Sequence, residues 1–120
     1  MDTYIPEQGD FVWINMNPQL GHEQAGRRPA IILSPVAYNK KVNLALLCPI
    51  TNQIKGYPFE VIIPIGLGVS GVILSDQVKS FDWKARNSEF IGKASETTTL
   101  EVLKKINTLL QIPALVQLNR

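Results

Sequence analysis

The feature that most constrains this chain is a series of short apolar runs, none longer than nine residues, separated by Gly, Pro and Asn. Phe11–Met16, Pro29–Leu33, Val42–Ile50, Phe59–Ile63 and Gly71–Val78 are such runs, and they are rich in Val and Ile. Runs of this length bounded by turn residues read as β-strands, because β-branched side chains fit a pleated, half-buried surface. Pro29, Pro49 and Pro58 fall at run ends, where a missing N–H is tolerated. The spacing predicts a mainly β, α+β chain built on a compact antiparallel sheet that curls into a small barrel. "YNKK", Tyr38 to Lys41, reads as the turn between the second and third strands.

The period changes near the C-terminus. In "TLEVLKKINTLLQ" the residues Leu100, Leu103, Ile106 and Leu110 recur at helical spacing, widened by Val102 and Leu109. Thr98 and Glu101 have the spacing of a capping box, and Pro113 is the expected stop. The apolar stripe needs the barrel as its partner. With 120 residues and no repeat, residues 1–120 read as one domain.

Twelve Lys and Arg against ten Asp and Glu give a net charge of +2, too little to establish nucleic-acid binding alone. Placement of charge therefore carries more weight than its sum. The N-terminus has no apolar core of a signal peptide, and no run is long enough to span a bilayer, so the expected location is cytoplasmic, away from membranes. The single cysteine, Cys48, excludes an intramolecular disulfide and a Cys-rich metal site. Set in "NLALLCPI", it reads as a small buried hydrophobe rather than a catalytic thiol. Trp13 and Trp83 read as core or subunit-contact residues, and Lys104-Lys105 as a solvated helix face.

Two polar connections flank the second and third strands: Asn17 to Arg28 ("NPQLGHEQAGRR") and Thr51 to Tyr57 ("TNQIKGY"). A long loop in a compact domain is usually functional. Pro29 forces Arg28 into extended backbone and so aims its side chain. A guanidinium fork, a hydroxyl and a carboxylate gathered at one rim would hold a phosphodiester. Asp76 is placed to pair with Arg27 or Arg28 and orient the guanidinium.

The segments "GDFVWINMNP", "GHEQAGRRPAIILSP", "YNKK", "CPITNQIKGYPFEV" and "GVILSDQVKSFDW" resemble the MazF/PemK endoribonuclease toxins, from about Tyr4 to Leu110. The resemblance implies an SH3-like barrel of the CcdB/MazF type with a C-terminal helix. It also implies a homodimer, metal-independent and sequence-specific cleavage of single-stranded RNA without a cofactor, and neutralisation by a small, acidic MazE-like antitoxin. Residue by residue, the catalytic arginine of the family's "GxRP" motif falls on Arg28, the catalytic threonine on Thr51, and a glutamate used in some members on Glu23. Asn15 and Asn17 stand where members often carry aspartates.

On that reading the RNA 2′-hydroxyl attacks the adjacent phosphorus and leaves a 2′,3′-cyclic phosphate and a 5′-hydroxyl. Arg28 holds the growing charge, Thr51 donates to a nonbridging oxygen, and Glu23 is the candidate base. An arginine is a poor acid at neutral pH, so the proton donor stays open. His22, the only histidine, is a further candidate at the RNA. Asn15, Asn17, Gln53 and Gln77 offer amides to base edges, Arg27, Lys55 and Lys79 offer charge to phosphates, and Tyr57 offers a ring for stacking. Two other readings compete: a gyrase-binding, CcdB-like poison that cuts nothing, and a non-catalytic nucleic-acid-binding barrel. The first expects a tryptophan near the C-terminus, and none follows Trp83.

Overall fold

The apolar runs become the centre of an antiparallel sheet in a computed structural model, which describes residues 3–16 and 26–113. In chain order the elements are β1 (Asp10–Asn15), β2 (Arg27–Ile32), α1 (Val36–Val42), β3 (Leu44–Thr51), β4 (Glu60–Ile62), β5 (Val72–Leu74), β6 (Lys79–Asp82), β7 (Glu89–Lys93) and α2 (Glu96–Asn107). Among the described residues the seven strands run β4-β5-β3-β2-β1-β7, with β6 beside β3. Every pairing is antiparallel.

The central runs are apolar at successive positions because the sheet is covered on both faces. Neighbours along a strand point to opposite sides. Phe11, Ile31, Cys48, Ile50 and Ile73 pack on one side with Val61 and with Val102 of α2. Val12, Ile14, Ala30, Ile32, Ala45 and Leu47 pack on the other, against Trp83. Strand β3 is shared along one edge. Leu44 to Leu47 pair with β6, and Ile50 and Thr51 pair with β5. The end of β3 is thereby held in a ladder up to Thr51.

Several sequence expectations change in detail. "YNKK" is not a turn: α1 spans Val36–Val42 and ends at Asn43, whose φ of 60° is left-handed. Seven residues are too few for a helix to hold itself. The buried Asn39 holds it instead, donating from Nδ2 to the Pro6 and Ser34 carbonyls while its own carbonyl accepts from the Trp83 indole. The fifth strand stops at Leu74, and Ser75-Asp76 turn away from it. The C-terminal helix is capped by Ser95, whose hydroxyl accepts from the Thr98 N–H at 3.1 Å, rather than by Thr98. It ends at Asn107, before Pro113 can act. Its buried stripe is Thr98, Thr99 and Val102, with Leu103 and Ile106 partly covered. Leu100, Leu109 and Leu110 are exposed.

The N-terminal segment is tied to β7 through Asp10, which is 3% exposed. Its carboxylate accepts from the Tyr4 hydroxyl, the Glu7 N–H and the Lys93 ammonium. Burial and this contact together push the Tyr4 hydroxyl pKa upward. No helix among the described residues is long and apolar enough to cross a membrane.

Candidate functional site

Strand register brings two expected site residues to one rim. Ala30 of β2 pairs with Pro49 of β3. Two residues back along β2 stands Arg28, and two residues on along β3 stands Thr51, both just past this last pair of the β2–β3 ladder. By alternation both lie on the face that carries Ala30 and Leu47, opposite to Ile31 and Ile50. Arg28 also pairs across β1 with the buried Ile14. Its side chain is exposed and makes no ion pair or hydrogen bond among the described residues.

Arg27 goes the other way. It projects on the opposite face, where Nη2 meets Glu89 Oε1 at 2.8 Å and Nη1 reaches the Asn87 carbonyl at 3.2 Å. The Arg-Arg pair is thus divided by the strand: one cation is paired with Glu89, and the other has no ion-pair partner among the described residues.

Thr51 opens a cavity of about 290 Å³ lined also by Gln53, Lys55, Tyr57, Glu60, Leu74, Asp76 and Gln77. The Thr51 hydroxyl oxygen accepts from the Gln53 N–H at 3.1 Å. An oxygen used as acceptor in this way keeps its own hydrogen free to donate. Behind Thr51 sits Gly71, with φ of +110°. A Cβ there would come within 2.2 Å of the Thr51 carbonyl oxygen, so the close approach of β5 demands glycine.

Two carboxylates shape the cavity. Glu60 accepts from the Lys55 and Gly56 backbone N–H groups, each at 3.0 Å, and so folds the 52–57 connection back on β4. Sequence reasoning missed this role, because Glu60 lies inside an apolar run and reads as a strand residue. Asp76 accepts from the Tyr57 hydroxyl at 2.5 Å. It does not pair with Arg27 or Arg28, as expected from sequence. Strand β3 stands between β2 and β5, and the Asp76 carboxylate is engaged by Tyr57 instead.

The remaining candidates are dispersed. Asn15 ends β1 opposite Arg27, and its backbone exchanges hydrogen bonds with Arg86. Lys79 opens β6 and is exposed. Asn17, His22 and Glu23 lie outside the described residues. Trp83 is buried in the second core, whereas Trp13 is 38% exposed. No group of three or more His, Cys, Asp and Glu side chains that could hold a metal occurs among the described residues.

Cys48 is buried, and burial, reinforced by the Asp76 charge, pushes its thiol up to about 12. An ordinary thiol ionises near 9.0. At pH 8 the folded protein is expected to react with iodoacetamide at least about 100-fold more slowly than the denatured chain. Equal rates would make Cys48 a reactive nucleophile and reverse its assignment to the core.

Comparison with known proteins bears on this geometry. The pattern of the family described as PemK-like, MazF-like toxin of type II toxin–antitoxin systems matches residues 7–110. The endoribonuclease toxin MazF of Escherichia coli K12 is 45% identical over 110 residues, covering 92% of this chain and 98% of that one. Endoribonuclease PemK of Escherichia coli is 33% identical over 108 residues, covering 87% of this chain and 81% of that one. A crystal structure of MazE–MazF from Deinococcus radiodurans superposes with a TM-score of 0.88 at 49% identity, covering 92% of this chain and all of the compared chain.

Proposed function

This chain belongs to the PemK-like, MazF-like toxin family of type II toxin–antitoxin systems, and from that premise we propose how its residues cut RNA. It is an endoribonuclease toxin, like relatives that match it along nearly their whole length. The observation that carries the mechanism is that Thr51 lines the cavity while Arg28 stands exposed on the neighbouring strand, both just past the last β2–β3 pair, Ala30–Pro49.

The reaction is attack of the RNA 2′-hydroxyl on the adjacent phosphorus. It needs no metal, because charge develops where Arg28 can meet it. An uncompensated guanidinium offers two parallel N–H donors to two phosphate oxygens. Thr51 donates its hydroxyl hydrogen to a nonbridging oxygen. Glu23, outside the described residues, is assigned by the resemblance as the base that takes the 2′-hydroxyl proton. Gln53, Lys55, Tyr57 and Gln77 border the same cavity and contact the bases and backbone next to the cut.

The protein works as a homodimer in the cytoplasm, and an acidic antitoxin of the MazE kind silences it. MazE–MazF complexes occur among the matching structures. A mildly basic protein with an uncompensated arginine at its rim suits an acidic segment that folds on binding.

Purified protein incubated with a long RNA in EDTA is expected to give site-specific cuts. The upstream fragment should end in a cyclic phosphate and the downstream fragment should begin with a 5′-hydroxyl. Dependence on an added divalent ion, or ends carrying a 5′-phosphate, would refute the metal-free route. Intact RNA together with blocked DNA supercoiling would favour the gyrase-binding reading.

A further inference from the structure

The cavity beside Thr51 has the wrong charge for a phosphate. Its lining holds one basic residue, Lys55, against two acidic ones, Glu60 and Asp76. The backbone N–H groups of Lys55 and Gly56, which would suit an anion, are already taken by Glu60. What remains open to a ligand is a ring, amides and hydroxyls: Tyr57, Gln53, Gln77 and Thr51. Such a lining suits a neutral, flat, hydrogen-bonding group, which in single-stranded RNA is a base.

Tyr57 is 45% exposed and leans on Phe59, with ring centroids 5.9 Å apart. Its position is set at its far end by the bond to Asp76 Oδ2. That bond also raises the Tyr57 pKa, so the hydroxyl stays protonated and donating. The other Asp76 oxygen, Oδ1, is buried without a partner among the described residues. Leaving a carboxylate oxygen buried and unpaired is unfavourable. The bond to Tyr57 is the one hydrogen bond of the Asp76 side chain among the described residues, and no ion pair accompanies it.

We propose that Asp76 is a positioning residue for the RNA reaction: it fixes the Tyr57 ring as a platform on which one unstacked base is held beside the phosphate cut at Arg28 and Thr51. This rests on the nuclease reading above and adds to it a residue that touches no substrate. The pair acts before the chemistry. It orders the ring, and so governs how well RNA binds rather than how fast bound RNA is cut.

The test combines cleavage kinetics with binding of fluorescein-labelled homopolymers, ten nucleotides each of A, C and U, which do not depend on cutting. Tyr57→Phe keeps the ring and loses the bond. Asp76→Leu loses the acceptor. Asp76→Asn keeps an oxygen that accepts the hydroxyl hydrogen. Tyr57→Phe and Asp76→Leu are each expected to raise KM and the homopolymer Kd about 5- to 10-fold, with kcat within about twofold. The double variant should be no worse than the weaker single, since both break one bond. Asp76→Asn should stay within about twofold of wild type.

Thermal melts guard against unfolding in Asp76→Leu, and Tyr57→Phe changes an exposed position. The inference is overturned if KM and Kd stay within twofold in Tyr57→Phe, if the losses fall on kcat, or if the two changes add. Failure of the wild type to cut any RNA would overturn the nuclease reading instead, while the Kd series would still decide the pair. Failure of the wild type to bind any homopolymer would overturn the inference.

Discussion

Replacing Arg28 by alanine is expected to lower the rate of RNA cleavage by about 10²–10³-fold while leaving the melting temperature almost unchanged. The two halves of that expectation have separate origins. On the proposed mechanism the rate falls because the Arg28 guanidinium, without an ion-pair partner among the described residues, meets the phosphate, and removing a donor aimed at developing charge has an effect of this size. Stability holds because the side chain is exposed and engages no described residue. Lysine at this position should recover part of the loss, since it keeps the charge but not the planar fork. Arg27→Ala is the internal control. Its guanidinium is bound to Glu89 on the other face, in an exposed pair worth at most about 1 kcal/mol. Cleavage by Arg27→Ala should stay within about tenfold of wild type. Equal losses at Arg27 and Arg28 would mean that strand alternation does not assign the catalytic face.

Gly71→Ala is expected to be the most damaging alanine substitution among Gly9, Gly56, Gly66, Gly68, Gly71 and Gly92. The new Cβ would lie 2.2 Å from the Thr51 carbonyl oxygen and 2.9 Å from the Thr51 carbonyl carbon. Backbone in a ladder cannot swing aside as a side chain does. A left-handed φ adds about 1–3 kcal/mol of strain of its own. Together the expected loss is about 3–5 kcal/mol. At roughly 4 °C per kcal/mol for a chain of this size, the melting temperature should fall by roughly 12–20 °C. Gly66→Ala separates the two causes. Gly66 has φ of +98°, but a Cβ there meets nothing within 4 Å. It should lose only the strain. Calorimetry showing equal losses at the two glycines would remove the steric argument, and with it the idea that β5 braces Thr51. The folded fraction of Gly71→Ala should also cut RNA more slowly, because the clash falls on Thr51, the residue proposed to donate to the phosphate.

The outline of the sheet was legible because five apolar runs carry it, and the rest was not because polar strands look like loops. "KSFD" of β6 and "EFIGK" of β7 expose most of their residues and offer no apolar run to detect. Only their ladders to β3 and β1 make them strands. Helix α1 was hidden for another reason. Its stability comes from Asn39, whose partners Pro6 and Trp83 are 33 and 44 residues away in sequence. No local pattern can report such bonds. At the site, Arg28 and Thr51 could be named from the resemblance, but their opposition could not, since register depends on the whole sheet. The partner of Asp76 was misjudged because a place near the end of the fifth strand said nothing of the strand lying between β2 and β5.

The Glu60 clamp has a consequence for how such a toxin changes its target. Glu60 grips the peptide groups of Lys55 and Gly56, not their side chains. The shape of the segment is therefore nearly indifferent to which side chains Gln53, Ile54 and Lys55 carry, and all three face solvent. This is the arrangement of an immune receptor, a fixed frame that displays replaceable letters. On the proposed reading, substitutions there would rewrite which RNA is chosen without unsettling the scaffold, so new preferences would be open to selection one mutation at a time.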